Sequence, residues 1–468
     1  VIGITSMGIY VPAYRLNREE ISRAWRTKSL GGERTVARFD EDSLTMAVAA
    51  TLDCIKYGPH RPDGLFFAST TSPYKEKQAA AIIAASVDLS EDTRTADFTD
   101  SLRSGTIALS SAMDAVKSGS ANNIVVVASD CRMGTGKSQF EQQFGDGAVA
   151  ISLGNSEVIA SIEGSYSLFS EFLDTWRLEG NAFVQSWEER FVVTEGYLNT
   201  MERIISGVME KYRVAPSEFA KVVFYGPDNR SHANLARRLG FNLGTQVQDL
   251  IFQSIGNTGT ATLPMMLVAA LKEAKPNDKI LVANYADGGD AFILKVTEKI
   301  GKFQEKMKEG DRKQIYISYE RYLSWRDLVP SEDPRRPDSK PPSVTCMWRE
   351  RKSVLAFYGN RCKQCGTVQY PPQRICAHCQ GKDNFEAYRL SDKKGRIFTY
   401  AADYLTSSKD SPALIGVVDF EGGGRAMCEI TECEPSEIKL GMSVEMCFRK
   451  LGQRGGVQNY FWKARPAT

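Results

Sequence analysis

Apolar and polar positions along this chain switch between two periods. From residue 1 to about 300, short β-branched and aromatic runs alternate with stretches whose apolar residues recur every three or four positions, the pattern of an α/β domain. Gly64–Ser69, Ile124–Ser129, Ala148–Leu153, Lys221–Phe224, Ile280–Tyr285 and Ala291–Val296 predict strands. Gln78–Val87, Gly105–Ser118, Glu195–Tyr212, His232–Leu239 and Gly259–Lys275 predict helices. The pattern also repeats. Gly105-Thr106, Leu109 and the strand at Ile124 have counterparts in Gly259-Thr260, Leu263 and the strand at Ile280, and each strand is followed by a Gly/Asp turn, Gly145-Asp146-Gly147 or Asp287-Gly288-Gly289-Asp290. Two related halves, 1–165 and 166–325, make a duplicated layered domain.

Past this point the pattern changes. Residues 326–345 are rich in Pro, Arg, Asp and Ser and read as a linker. A cysteine-rich unit follows at 346–394. From 395 to 468 only the two-residue period remains, in Ile397–Tyr400, Ala413–Phe420, Ala426–Ile430, Ser443–Phe448 and Tyr460–Ala464, which suits a small all-β barrel such as an OB-fold.

Composition narrows the function classes. The 468 residues carry 59 basic and 57 acidic side chains, a formal charge of +2, so no global field argues for nucleic acid or a membrane surface. No apolar run reaches the roughly 18–20 residues of a membrane span, and Val1–Pro12 reads as a strand and turn rather than a leader. Ten cysteines include two Cys-x-x-Cys pairs, which points to metal in a reducing compartment, and the expected location is the cytoplasm.

The two pairs are Cys362/Cys365 and Cys376/Cys379. Each forms a knuckle presenting two thiolates, and four thiolates close a tetrahedral Zn2+ site with no open position, so the expected metal is structural. His378, inside the second knuckle, is a competing ligand. Arg361–Gly366, Tyr370-Pro371-Pro372 and Cys376 resemble an accessory family that pairs a rubredoxin-like zinc ribbon with an OB-fold and accompanies acyl-CoA thiolases and synthases. OB-folds also bind nucleic acids through basic, aromatic-lined grooves. Phe448, Arg449, Lys450, Arg454, Tyr460, Phe461 and Trp462 could line one, but barrel core and rim is the preferred assignment, and no nucleic-acid partner is expected.

The stretch Asp100-Ser101-Leu102-Arg103-Ser104-Gly105-Thr106 resembles the nucleophile turn of the thiolase superfamily, in the branch of 3-hydroxy-3-methylglutaryl-CoA synthase and ketosynthase III. Those families read Ala-Cys-x-x-Gly-Thr here. Phe39–Met46, Gly145–Ala148 and Ser254–Gly259 extend the likeness over about residues 1–325. It implies a duplicated thiolase-like fold, a homodimer, and a site in which a cysteine is acylated, a histidine and an asparagine stabilise negative charge, and in the synthases a glutamate serves as general acid. Three of those positions differ. Leu102 stands where the cysteine belongs, and leucine cannot be acylated. Tyr225 stands at the histidine position. Thr70 and Thr71 occupy the place of the acidic glutamate. Of the central residues only Asn257 is retained, and it has a second reading as a helix cap.

The resemblance therefore implies an acyl-CoA enzyme whose covalent chemistry is gone. It is also similar to thiolase-fold retro-aldolases that work with zinc-ribbon/OB partners and use tyrosines for proton transfer. The leading expectation is aldol or retro-aldol chemistry on a 3-hydroxyacyl-CoA. Tyr225 serves as base, Asn257 as oxyanion donor, and Ser101, Leu102, Arg103, Gly105 and Gly259 line the substrate. Asp228 and Asp287 are further polar candidates. The first alternative is synthase-type condensation with an unrecognised nucleophile, Ser101 or Cys131, neither flanking serine having an evident base. The second is a non-catalytic acyl-CoA-binding partner of a thiolase. Of the three histidines, His232 is expected to be solvated or capping, and His60 and His378 have other contexts.

Overall fold

The computed structural model describes residues 1–58, 61–307, 312–330, 343–406 and 408–467. Pro59 and His60, most of the expected linker and the side chain of Arg454 lie outside them. The chain divides into two units. One comprises Val1–Ala37, Met46–Ala81 and Leu89–Tyr319; the other comprises Arg38–Thr45, Ile82–Asp88 and Glu320–Thr468.

The first unit is built on nine strands: β1 Gly3–Tyr10, β2 Gly64–Ala68, β3 Arg94–Phe98, β4 Asn123–Asp130, β5 Gly147–Gly154, β6 Ala160–Phe169, β7 Lys221–Phe224, β8 Lys279–Ala283 and β9 Gly288–Val296. They are ordered β7-β8-β9-β6-β1-β5-β4-β2-β3. The order shows the duplication. β1-β5-β4-β2-β3 is matched by β6-β9-β8-β7, and the fifth place is held by a single parallel bridge from Val222 to Val247. The two halves join where Gly3 and Ile4 of β1 pair with Ser161 and Ala160 of β6.

Side-chain alternation places a core on each face of the sheet. On β7 to β9, Val223, Ile280, Val282, Phe292 and Leu294 face one core. Val222, Phe224, Leu281, Ala283, Ala291 and Ile293 face the other. The first core holds helices α1 Ser104–Lys117 and α4 Thr262–Glu273. α4 buries nine of its twelve residues, as a helix in a central layer must. α2 Asn199–Tyr212 buries only one stripe, from Thr200 to Val208, and α3 Asn229–Arg238 likewise lies outside.

Two expected elements differ in kind. The helix predicted over Glu195–Tyr212 begins as a π-helical stretch, Val192–Leu198, before becoming regular. The predicted turn Asp287–Asp290 is shorter, since β9 already starts at Gly288. β1, β3 and β6 complete the sheet beyond the strand runs picked out between 64 and 296.

The second unit contains a three-stranded ribbon, β10 Tyr358–Cys362, β11 Val368–Gln369 and β12 Phe385–Arg389, ordered β11-β10-β12. It also contains five strands: β13 Gly395–Asp403, β14 Ala413–Phe420, β15 Arg425–Glu429, β16 Ser443–Arg454 and β17 Val457–Pro466. These run β15-β14-β13-β16-β17, and a parallel bridge from Ile430 to Ala464 closes them into the expected barrel. Phe448, Tyr460 and Trp462 are buried, so their rings are not a stacking surface. Arg449 is buried as well, paired with Glu41 and Glu432. No described helix is long and apolar enough to cross a membrane.

Candidate active site

Tyr225 follows directly on β7, its N–H donating to the Ala283 carbonyl (3.1 Å). A residue leaving the C-terminal end of a parallel strand points into the crevice where α/β sites lie. There its hydroxyl accepts a hydrogen bond from Asn257 Nδ2 (3.1 Å). The two expected catalytic residues are thus brought together across 32 positions of sequence. Asn257 has the bonds of a helix cap: its Oδ1 accepts from the N–H of Gly259 (2.9 Å) and the hydroxyl of Thr262 (3.1 Å), which leaves Nδ2 for Tyr225.

Two further tyrosines pack around the first. Tyr285 stacks on Tyr225 with centroids 6.3 Å apart, and Tyr197 meets Tyr225 and Tyr285 edge-on at 6.3 and 5.5 Å. Tyr197 donates its hydroxyl to the Tyr225 carbonyl (2.8 Å) and sits in the π-helical stretch, a distortion frequent at functional sites. Tyr285 shares a side-chain hydrogen bond with Asp174. Burial pushes the Tyr225 phenol up, offset in part by Arg132. Burial and the nearby carboxylates push Tyr285 up further. All three are therefore neutral phenols at physiological pH. A phenol raised in this way holds its proton, which does not suit Tyr225 to the role of base expected from sequence. The base-like group nearby is Asp174, whose carboxyl is raised by burial against the opposing bonds from Thr175 and Tyr285.

The turn before α1 lies against the loop that leads into β9. Asp100 adopts φ 75°, a left-handed conformation that aspartate tolerates better than most residues. The Leu102 carbonyl accepts from Asn284 Nδ2 (3.0 Å). Arg103, expected to face substrate, is instead committed to Asp290 through two bonds of 3.0 and 2.8 Å, with Thr106 (2.6 Å) and Ser167 (2.7 Å) on the same carboxylate. Ser101 does have a carboxylate partner, contrary to expectation: its Oγ donates to Asp287 Oδ2 at 2.5 Å. Gly105 and Gly259 allow the two helix starts to approach, since a Cβ on Gly105 would meet the Thr260 carbonyl at 3.3 Å.

Thr70 and Thr71 do not act as an acid. With Ser69 they donate to Asp130 Oδ1, while Thr260 donates to Oδ2 through its N–H and hydroxyl (2.8 and 2.9 Å). Asp130 thereby ties β4 to the Asn257–Thr260 turn, and a Cβ on Gly259 would collide with it at 2.3 Å. Cys131 N–H donates to Thr71 Oγ1 (2.9 Å). Asp228 caps α3 through Ser231. His232 is not solvated. It is buried against Phe224, centroids 4.2 Å apart, and burial pulls its imidazole down to about 4.

Three residues around Tyr225 do not stand out in the sequence: Asp174, Tyr285 and Arg132. Asp174 lies in an irregular segment with no periodicity. Tyr285 was read only as the end of a strand. Arg132, next after the Cys131 candidate, carried a usable signal, because an arginine just beyond a strand end falls at the mouth of the site.

In the second unit the four cysteine sulfurs lie within 4.8 Å of one another, with Cys362–Cys379 at 3.6 Å and Cys365–Cys376 at 3.5 Å. Thiolates around zinc at about 2.3 Å are about 3.8 Å apart, so the set fits the ion. Both knuckles turn through left-handed residues, Gly366 and Gln380, and Gly366 N–H and Gln380 N–H return to the carbonyls of Cys362 and Cys376. His378 is not part of the cluster. Replacing Cys376 by serine is expected to reduce bound zinc from one equivalent to well below it, and to make residues 358–389 protease-sensitive while the first unit stays resistant.

Residues 349–386 match the rubredoxin-like zinc ribbon domain of ChsH2, and 388–449 match its C-terminal OB-fold domain. Hydroxymethylglutaryl-CoA synthase of Methanopyrus kandleri is 30% identical over 340 residues, 69% of this chain and 97% of the relative. The enzyme of Pyrobaculum arsenaticum is 31% identical over 347 residues, 70% and 98%. An HMG-CoA synthase solved with CoA superposes with a TM-score of 0.60 at 18% identity, covering 72% of this chain and 92% of that one. 3-Oxoacyl-[acyl-carrier-protein] synthase III of Aquifex aeolicus gives 0.55 at 22%, covering 63% and 100%. The duplicated sheet is thus the thiolase-like fold, and the chain belongs to the hydroxymethylglutaryl-CoA synthase family, extended by a zinc ribbon and an OB-fold.

Proposed function

We propose that the chain joins an acyl-CoA to a carbonyl acceptor by an aldol-type condensation that makes no acyl-enzyme. The observation that carries this reading is the Tyr225–Asn257 pair. Tyr225 accepts from Asn257, so its own O–H proton has no described protein acceptor and can be given to a substrate oxygen. In the reaction Asp174 removes an α-proton from the thioester. The resulting enolate carbon attacks the acceptor carbonyl, the new C–C bond forms, and the alkoxide takes its proton from Tyr225, giving a 3-hydroxyacyl-CoA. Asn257 Nδ2 carries a second N–H beyond the one given to Tyr225, and this would be the donor to the enolate oxygen. The relatives are named for synthesis, which favours condensation over cleavage, a direction that the sequence leaves open. Zinc would hold the ribbon together and takes no part in this chemistry.

The test is proton exchange. In D2O the chain is expected to wash deuterium into the α-position of a bound acyl-CoA, and Asp174→Asn is expected to slow this at least about 100-fold. Exchange at the wild-type rate in the variant removes Asp174 as base; no exchange by the wild-type chain on any acyl-CoA that binds removes the enolate step. A second reading, acyl transfer through Ser101, is favoured by its 2.5 Å bond to Asp287. Against it, a carboxylate is a weak base for an alcohol and Asp287 is exposed. We also propose a homodimer, formed along the half-buried edge strand β3, with two chains per particle expected by light scattering.

A further inference from the structure

Arg132 is 5% exposed, and its guanidinium has no hydrogen bond or ion pair among the described residues. The guanidinium itself lies over the ring of Phe144, with Cζ 4.3 Å from the centroid, a contact that uses its face and leaves its in-plane N–H groups unspent. Phe144 in turn bridges Asn257 through the backbone, and Arg132 acts on the Tyr225 phenol electrostatically. The guanidinium nitrogens are not among the sealed atoms of the fold that lack a partner, so what accessibility the residue keeps includes them. By contrast, buried Arg18 reaches three backbone carbonyls, and half-buried Arg103 is paired with Asp290. A buried cation without an anionic or hydrogen-bonding partner is costly, and such a group persists where a ligand completes it.

We infer that Arg132 is the receptor for a carboxylate on the carbonyl acceptor, so that this site condenses an acyl-CoA with an oxo acid. The inference rests on the condensation reading, because the acceptor becomes the far end of the 3-hydroxyacyl-CoA product. A guanidinium presents two parallel N–H groups that match the two oxygens of a carboxylate. An enolate oxygen needs no such fork, and Asn257 already supplies a donor for it. Asp130 and Asp174 act on Arg132 at longer range without forming an ion pair, which keeps the guanidinium charged and its donors free.

Binding to the full zinc-loaded chain tests this without requiring turnover. The probes are 3-hydroxy-3-methylglutaryl-CoA, its carboxylate-free counterpart 3-hydroxy-3-methylbutyryl-CoA, and free coenzyme A. The wild-type chain is expected to bind the carboxylate-bearing thioester at least about tenfold more tightly than the uncharged one. Arg132→Gln is expected to bring the two within twofold, leave the uncharged thioester and free coenzyme A unchanged, and keep or raise the melting temperature without ligand. Arg132→Lys is expected to restore part of the preference. Equal wild-type affinities overturn the inference, as does a preference that survives Arg132→Gln. A drop in free coenzyme A affinity in that variant would instead place a phosphate on Arg132, and a drop in melting temperature would make the residue structural. Discrimination without any α-proton exchange would sink the condensation reading and leave the carboxylate receptor standing.

Discussion

Tyr225→Phe is expected to lower turnover by about 10²- to 10⁴-fold, the range for loss of a positioned proton donor, with substrate affinity changed only a few-fold. The ring stays, so its contacts with Tyr197 and Tyr285 survive. What is lost is the hydroxyl that accepts from Asn257 Nδ2 and carries the transferable proton. Leaving that amide N–H without its acceptor costs about 1–3 kcal/mol at most, too little to unfold the unit. Initial rates and thermal melts together check this: a variant that melts normally and turns over like wild type removes Tyr225 from the chemistry. The pH profile adds a sign. Since Tyr225 acts as the protonated phenol and its value is raised by burial, activity is expected to hold through alkaline pH up to the ordinary tyrosine value near ~10, without a loss there.

The second large effect is on stability. In the unit that contains Arg38–Thr45, Lys463 pairs with Asp40 (2.8 Å) and Glu429 (2.6 Å), Arg449 with Glu41 (3.1 Å), and Arg38 with Asp40 (2.9 Å) and Asp410 (3.0 Å). Tyr460 donates to Asp42 (2.7 Å). Asp40 is 1% exposed. Burial alone would raise its carboxyl, but Lys463, Arg38 and Arg449 hold it well below the usual carboxylate range. Lys463→Met strands that charge and is expected to cost about 3–5 kcal/mol, read as a lower urea midpoint for this unit. Lys463→Met combined with Asp40→Asn should recover part of the loss. A midpoint unchanged in the single variant would show that the pair adds nothing. The acid dependence follows from a depressed carboxyl: its contribution is complete above about 4 and is lost as pH falls from there through the folded value. The stability gap between wild type and Asp40→Asn should therefore narrow as pH falls, whereas a constant gap would mean that Asp40 does not titrate with unfolding.

Local pattern carried much of the architecture. Each strand and helix picked out between 64 and 296 has a counterpart in the structure, because alternation and three-to-four spacing report burial directly. The four cysteines were legible for the same reason, their chemistry being set by spacing along a few residues. Tyr225 and Asn257 could be placed because each stands at a position marked by a strand end or a helix start. Pairings made by tertiary contact were not legible. Nothing near Ser101 announces Asp287, and nothing near Arg103 announces Asp290, since the sheet alone brings residues more than 180 positions apart together. The protonation state of Tyr225 depends on burial and on Arg132, Asp174, Asn257 and Asp228, groups far apart along the chain, which is why a raised phenol is not legible in the sequence. Phe39–Met46 stands out in the sequence only as a family likeness; in the fold its Asp40 and Glu41 pair with the buried Lys463 and Arg449.

The central claim is that carbon–carbon bond formation here proceeds without a covalent acyl-enzyme, with Leu102 at the position of the expected nucleophile. Intact mass spectrometry of the full chain, quenched during turnover of an acyl-CoA with its carbonyl acceptor, tests it most directly. The account predicts 3-hydroxyacyl-CoA product with the protein at its unmodified mass throughout. An acyl adduct that forms and decays at the rate of turnover, mapping to Ser101 or Cys131, would contradict it.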